Sequence, residues 1–573
     1  MKTVKITFTL IMTLISSLTW GFVTVGTDAS CDYRHLVDAY DDADVFVRVT
    51  TQAPYLDHFV ISKPKWFTGG YLNCTDAENG IRSNNKSQWA TLADRVIEID
   101  AQLAGQSIVV IDGFEIYNGI NNTVNETAGI LVTGNSQLLL SDSVVRDNQS
   151  QSGGGLMVSG PQASVIVNNS QIVDNAAVEG GGLFCNDEST VTITGDSGIL
   201  NNSANFGGGI YATEACQIEL LSGDTLDPLS TQSGIARNTA QQGGGVFLTD
   251  EAQMQATGNQ DHPASIVFNI ADSDFFENGG GVSLTGLGTR FEGTNARVEY
   301  NVGSFYGGGF SVRDLAVFTM NRLPRDCWDN DRCSSLSHNV VTGANGVSAG
   351  FGGAGDLYRG GVANIAQTRI DGNQANDVAG FNLSDAAYLR LESNLVVNNR
   401  HFNDDAQTTL TKLVGTPGNG SNLDSFYNTF ANNTLNKVLF QVNTAAQNTL
   451  NMFNSILSHN SDILLVFGDN ANNNLMQWDC LFLNEVTSLE GNLGYLNISD
   501  PMFVNQAQGN YQLSPVSPAI DVCDESAFIG ASYPDFDGQD RGIDEPGIQN
   551  LFGPFDVGAY EANVDIIFAN GFE

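Results

Sequence analysis

The side chains best suited to chemistry gather in two short segments. The first is Arg325-Asp326-Cys327-Trp328-Asp329-Asn330-Asp331-Arg332-Cys333. A Cys327–Cys333 disulfide would close it into a small loop that holds Trp328 beside Asp329, Asp331 and Arg332. An indole face stacks on a sugar ring, and an Asp-Asn-Asp run offers hard oxygens to calcium. The chemistry implied is ligand binding; the competing use is structural, with Trp328 plugging a groove of the fold. The second segment is Asp535-Phe536-Asp537-Gly538-Gln539-Asp540. Asp535, Asp537 and Asp540 have the spacing that opens a calcium loop. The glutamate that would complete such a loop is not at its place, and Arg541 could instead pair with one of these carboxylates and lock the chain end. Calcium is the one cofactor these residues suggest.

A catalytic set is harder to assemble. Hydrolysis of a glycosidic bond calls for two carboxylates, and Asp404-Asp405 next to His401 is the nearest approach. Elimination calls for a positioned base. Pectate-lyase-like enzymes carry RxPxxR, whereas Arg322-Leu323-Pro324-Arg325 sets its second arginine two places early. Polygalacturonase-like enzymes carry GHG and RxK, and this chain contains neither.

The elements that must position these residues are written in a repeat. Glycine triplets start at Gly153, Gly180, Gly207, Gly243, Gly279 and Gly307, with spacings of 27, 27, 36, 36 and 28 residues. Asn148, Asn175, Asn202 and Asn238 each precede a triplet by five residues, and Asn301 precedes its own by six. Between them run short apolar segments such as Leu156–Val158, Val165–Val167 and Ile172–Val173, separated by polar corners. Strands so short cannot close a sandwich, but three per turn, stacked turn on turn, bury a continuous core. Helical periodicity is missing. The expected fold is all-β: a right-handed parallel β-helix with three short strands per coil. Roughly fifteen coils spaced at ~4.8 Å would give a rod of ~70 Å. The four asparagines are expected to stack as a ladder, since Asn tolerates left-handed backbone and can hydrogen-bond up a column of its own kind.

The N-x(4)-GGG unit resembles the repeat of polymorphic outer-membrane proteins, in which GGA[IL] alternates with FxxN. Here Gly replaces Ala, and VRDN, IVDN and ILNN stand where the Phe-led tetrapeptide would. The GGYLNC segment from Gly69 to Cys74 resembles the first turns of secreted bacterial β-helices, and there a Cys31–Cys74 bridge would staple the N-terminal cap. The stretch from Asp500, DPMFVNQAQGNYQLSPVSPAIDVC, with DFDGQDRG and FDVGAYE after it, resembles the terminal module of β-helix proteins with a choice of anchor. That resemblance implies surface display and makes the short aromatic-Gly tail a candidate sorting tag.

Charge and cysteines narrow the class. With 64 acidic and 24 basic residues the chain carries −40, a field that repels nucleic acid and anionic membranes. Lys2 and Lys5 precede the apolar stretch Ile6 to Leu18, as in a secretory signal, with cleavage expected near Gly26 or Ala29. No later run is apolar enough for a transmembrane helix. Eight cysteines in an exported chain favour disulfides, and sequence neighbours suggest Cys31–Cys74, Cys185–Cys216, Cys327–Cys333 and Cys480–Cys523. The expected organisation is a signal peptide over 1–29, an N-terminal cap and first coils over 30–120, β-helix repeats over 121–499, a C-terminal cap or anchor-type module over 500–562, and a tail over 563–573. The functional expectation is a monomeric, non-catalytic, secreted or surface-displayed rod, an adhesin or spacer that binds a surface glycan or the polysaccharide of a host or neighbouring cell. The alternative is a polysaccharide lyase or glycoside hydrolase working in a groove along the rod.

Overall fold

The computed structural model describes residues 21–562, apart from Asp57 and the stretches 92–93, 102–106, 124–125, 223–232, 260–261, 274–278, 324–333, 344–349, 404–407, 436–437, 444–446, 459–464, 468–473, 484–491 and 525–533. The chain is a right-handed parallel β-helix, and each coil contributes one strand to each of three long sheets. In one coil Leu156–Ser159 lies in sheet C, Ser164–Asn168 in sheet A and Gln171–Val173 in sheet B. The next coil lays Leu183–Asn186, Thr190–Thr194 and Gly198–Leu200 on these, in parallel. The pairs Leu156↔Leu183 and Ile172↔Ile199 are each 27 residues apart and Val165↔Val191 is 26, so the sequence period is, within one residue, the strand register. A narrow fourth sheet, D, runs from Thr239–Ala240 to Arg400–His401. Sheet B has sixteen strands, which at ~4.8 Å per step is a rod of about 70 Å.

The interior is filled. Alternation along each strand sends one column of side chains inward. In sheet A that column runs Val165, Val191, Ile218, Met254, Phe291, Phe318, all buried. This packed axis directs attention to the outer faces of the rod.

The asparagine file is continuous. The Asn175 carboxamide oxygen accepts from the backbone N–H of Asn148 at 3.1 Å and from its Nδ2 at 2.9 Å. The same double link joins Asn175 to Asn202 and Asn202 to Asn238. It continues through Asn269, Asn301, Asn339, Asn373, Asn399 and Asn433. Each Nδ2 also reaches a main-chain carbonyl, such as Val145 O from Asn175 and Ile172 O from Asn202. These buried amides therefore satisfy corner backbone groups that no sheet could reach. The residue before each rung takes a left-handed conformation, from Asp147 to Asn432.

Among the described residues three disulfides form: Cys31–Cys74, Cys185–Cys216 and Cys480–Cys523, with Cα–Cα distances of 5.3, 5.9 and 6.0 Å. Cys327–Cys333 lies outside the described residues. At the N-terminal end a short helix, Leu36–Asp41, packs Leu36, Ala39 and Tyr40 into the core. The buried Lys65 ammonium closes off that region by donating to the carbonyls of Ala39, Asp42 and Asp44. The strand Phe22–Val25 pairs with Phe46–Thr50 and buries Val23 and Val25. The first strand of the rod thus falls within the segment that the sequence alone assigns to a leader.

The described residues of 500–562 add no further coil. Phe503–Asn505 and Asn510–Leu513 form an antiparallel hairpin, and the chain then lies along the outer face of sheet B. The outward positions of sheet B explain the docking. They are polar at Ser335/Ser337 and Arg369/Asp371 but turn apolar at Leu395/Val397. Leu395, Val397 and Ala431 pack against Tyr511, Phe536, Ala559 and Tyr560. Ile456 and Phe482 pack against Leu513, Ile520, Val522 and Val557. Continuous apolar strands such as Leu395–Val397 are what burial on both faces demands.

Candidate functional site

Where the hairpin meets the rod, a polar cleft of about 650 Å³ remains open. Its rod side is made by His338, Arg369, Asp371, Gly372, Asn398 and Arg400, and its hairpin side by Gln508, Gly509, Asn510 and Gln512.

The cleft has a simple origin in the repeat. Left-handed residues preceding the ladder asparagines form a file on the outside of the corner. Phe268, Tyr300 and His338 stack in that file, with ring centroids 5.0 and 4.7 Å apart and planes within 17° of parallel. The next member is Gly372 and the one after it Asn398. A side chain at Gly372 would start 3.1 Å from the His338 ring. The missing side chain leaves a gap between His338 and Asn398, and that gap is the floor of the cleft.

Strand Arg369–Asp371 turns Ile370 inward and its two charged residues outward, as alternation requires. Arg369 Nε donates to Asp371 Oδ2 at 2.8 Å, and Asn398 Nδ2 donates to Asp371 Oδ1 at 3.0 Å. Both oxygens of this carboxylate are thereby engaged. Across the cleft, the turn at Gly509 has φ +78° and comes within 3.4 Å of Arg369 Nη2, measured from where a Cβ would sit. The hairpin is anchored by Gln506 Nε2 and the Tyr511 hydroxyl on the two ends of the Asn432 carboxamide, at 2.7 and 3.0 Å. Gln512 Nε2 donates to Asp537 Oδ2 at 3.0 Å. Arg400 is exposed at the cleft margin. Two guanidinium groups and one committed carboxylate thus line a cleft in a chain whose net charge is −40.

The aromatic file does not itself offer a sugar platform. Tyr300 spends both faces on Phe268 and His338, and sugar stacking needs a free face; the far side of His338 is turned to the gap at Gly372.

None of the described residues singled out from sequence lines the cleft. Trp328, Asp329, Asp331, Arg332, Asp404 and Asp405 lie outside the described residues. Arg322 is buried and donates to the Phe536 carbonyl at 2.8 Å, tying rod to hairpin module. Asp535 is buried; its carboxylate accepts from the N–H groups of Gln539 and Glu561 at 2.7 and 2.9 Å. Asp537 receives Gln512, and Asp540 is exposed. Arg541 makes its ion pair with Glu561, at 3.7 Å, rather than with any of these three. Among the described residues no three His, Cys, Asp or Glu side chains are gathered in a way that could hold a metal ion.

Two further groups of carboxylates are perturbed. Asp356 points outward from sheet C yet is 1% exposed; burial pushes its carboxyl up to about 6, against the pull of Arg313 and the Asn382 carboxamide. It accepts from Asn382 Nδ2 at 2.7 Å and stands 3.7 Å from Arg313. In the flank module, burial raises Glu561 to about 7 while Arg541 opposes it, and burial together with Glu561 raises Asp556. Neither group opens onto the cleft.

Sequence reasoning did not single out Arg369, Gly372, Asn398 or Arg400. The one signal available was Gly372, a glycine directly before a ladder asparagine where the other coils carry side chains.

No protein-family model matches the chain, and no curated protein matches it either.

Proposed function

We propose that this chain is a non-catalytic, secreted or surface-displayed β-helical rod, an adhesin or spacer, that binds a saccharide in the cleft between sheet B and the hairpin. The observation that carries this is the lining of the cleft. Its carboxamides and guanidinium groups suit sugar hydroxyls and ring oxygens, while its single carboxylate is clamped by Arg369 and Asn398. Glycoside hydrolysis calls for a partner carboxylate roughly 5–9.5 Å from the first, and among the described residues the cleft lining supplies one carboxylate. Export is supported by the three disulfides and by the Lys2/Lys5 apolar leader pattern. Display is supported by the likeness of the N-x(4)-GGG unit to polymorphic outer-membrane repeats and of the Asp500 stretch to choice-of-anchor modules. Among the described residues no helix is long and apolar enough to cross a membrane. The rod acts as a monomer.

The test is retention of purified protein on a polysaccharide panel, with reducing ends and ultraviolet absorbance followed for turnover, for the native chain and for Gly372→Asn. Asn adopts left-handed backbone readily, as Asn398 does one coil on, so this variant fills the cleft and keeps the fold. Retention that disappears in Gly372→Asn, without turnover, is expected. Turnover would establish an enzyme, and retention indifferent to the substitution would place binding elsewhere.

A further inference from the structure

The following rests on the cleft being the binding site. We propose that it selects a short saccharide bearing an anionic group, a uronate carboxylate or a sulfate ester, received by Arg400 and Arg369. The chain has 24 basic residues against 64 acidic, yet the cleft has two arginines against one aspartate. That aspartate does not repel an incoming anion strongly, because Arg369 Nε and Asn398 Nδ2 hold its two oxygens. Arg369 is oriented by the same contact, so its Nη edge faces the hairpin across the cleft, 3.4 Å from the Cβ position of Gly509. Arg369 is 9% exposed and lines the cleft, and a Cβ at 509 would stand in ordinary van der Waals contact with its Nη2. Arg400 is exposed, and no described carboxylate lies within ion-pair distance of it. A guanidinium edge offers two parallel donors, which match the paired oxygens of a carboxylate or sulfate. Asn398 Nδ2, Gln508 Oε1 and Asn510 Oδ1 are engaged within the fold, which leaves Asn398 Oδ1, Gln508 Nε2 and Asn510 Nδ2 for the hydroxyls of the same sugar.

The size of the cleft sets the probe. About 650 Å³ suits a few sugar rings rather than a polymer, and a long polyanion would feel the −40 charge of the whole molecule. The experiment is calorimetric titration of the full chain with three trisaccharides: one of galacturonate, one sulfated and one neutral. Each is run on the native protein, on Arg400→Gln and on Gly372→Asn, with melting temperature recorded for all. One anionic class is expected to bind at least tenfold tighter than the neutral sugar. Arg400→Gln should lose at least tenfold of that affinity with no change in melting temperature, because Arg400 holds nothing in the fold. The arm that binds separates carboxylate from sulfate. Equal binding of the neutral trisaccharide, or full affinity in Arg400→Gln, overturns anion selection; the cleft reading survives that result if Gly372→Asn abolishes binding. Binding of no probe, or binding untouched by Gly372→Asn, overturns both.

Discussion

A Cβ on Gly155 would stand 2.9 Å from Nδ2 of Asn175, the ladder residue of its own coil. It would also press on Ile172 Cγ2 at 2.6 Å and on the Gly182 carbonyl at 2.9 Å. The third glycine of each triplet and the ladder asparagine therefore share one space. The relation recurs between Gly182 and Asn202, Gly209 and Asn238, and Gly245 and Asn269. The first glycine has a different task, a left-handed backbone with φ of +61° at Gly153. Co-occurrence of the two motifs in sequence is thus a packing constraint.

This coupling is measurable. Asn175→Ala strands the N–H groups of Asn148 and the carbonyl of Val145, and leaving buried polar groups unpaired should cost about 2–4 kcal/mol in all. Gly155→Ala overpacks the corner at about 1–3 kcal/mol. The double variant should cost about 1 kcal/mol less than the sum, since removing the Asn175 carboxamide makes room for the new methyl. Denaturant unfolding of the four proteins tests it; strict additivity would mean that the two residues do not contend for space.

The flank module should respond to pH in the direction opposite to an ordinary salt-bridged carboxylate. Glu561 is held protonated by burial up to about 7, well above the usual 4.5, and Asp556 is raised alongside it. A raised folded value means that the stabilisation is complete below about 4.5 and is lost as pH climbs through about 7. For Glu561 the whole effect is at most about 3 kcal/mol. Hydrogen-exchange protection factors over residues 535–562, corrected for the intrinsic pH dependence of amide exchange, should therefore be higher at pH 5 than at pH 8, with those of the asparagine ladder unchanged. Glu561→Gln should flatten the difference. Lower protection at pH 5 than at pH 8 would show that these carboxyls are ionised in the fold.

The early ladder is legible because its rungs at Asn148, Asn175 and Asn202 keep five residues from their triplets and 27 from one another. The later rungs are not. Asn269 stands ten residues before Gly279 and Asn339 thirteen before Gly352, so the marker that identified a rung is displaced by insertions at the same corner. In a chain this rich in asparagine, nothing else distinguishes Asn373 or Asn433. The cleft is less legible still. Arg369 and Gln512 are 143 residues apart in sequence, and they meet because the module folds back on sheet B instead of extending it. The hint was Leu395-Val396-Val397, a run too apolar for a strand with one face in water.

The N-terminal strand bears on processing. Val23 and Val25 are core residues, and Thr24 and Asp32 exchange hydrogen bonds around the turn that follows. Cleavage after Gly26 or Ala29 would strip Phe22–Val25 from the strand Phe46–Thr50 and uncover Val47 and Val49. If a leader is removed, the mature chain should begin no later than Phe22. The intact mass of exported protein checks this directly. A chain that starts at residue 27 or 30 and melts normally would show the first strand to be dispensable.

The Cys480–Cys523 bridge should hold the flank module and leave the rod indifferent. It crosses 43 residues and joins the coil of Leu475–Asp479 to the segment packed on Ile456 and Phe482. A bridge of that span constrains the unfolded chain by about 2–4 kcal/mol. The double variant Cys480→Ser, Cys523→Ser should release residues 500–562 to limited proteolysis at lower temperature, while amide protection around Asn175 stays the same. Saccharide retention should fall with it, because Gln508, Asn510 and Gln512 are one wall of the cleft and arrive on that module. Simultaneous loss of protection in rod and module would mean that the two fold as one cooperative unit, and the bridge would then be stabilising the whole helix rather than closing the site.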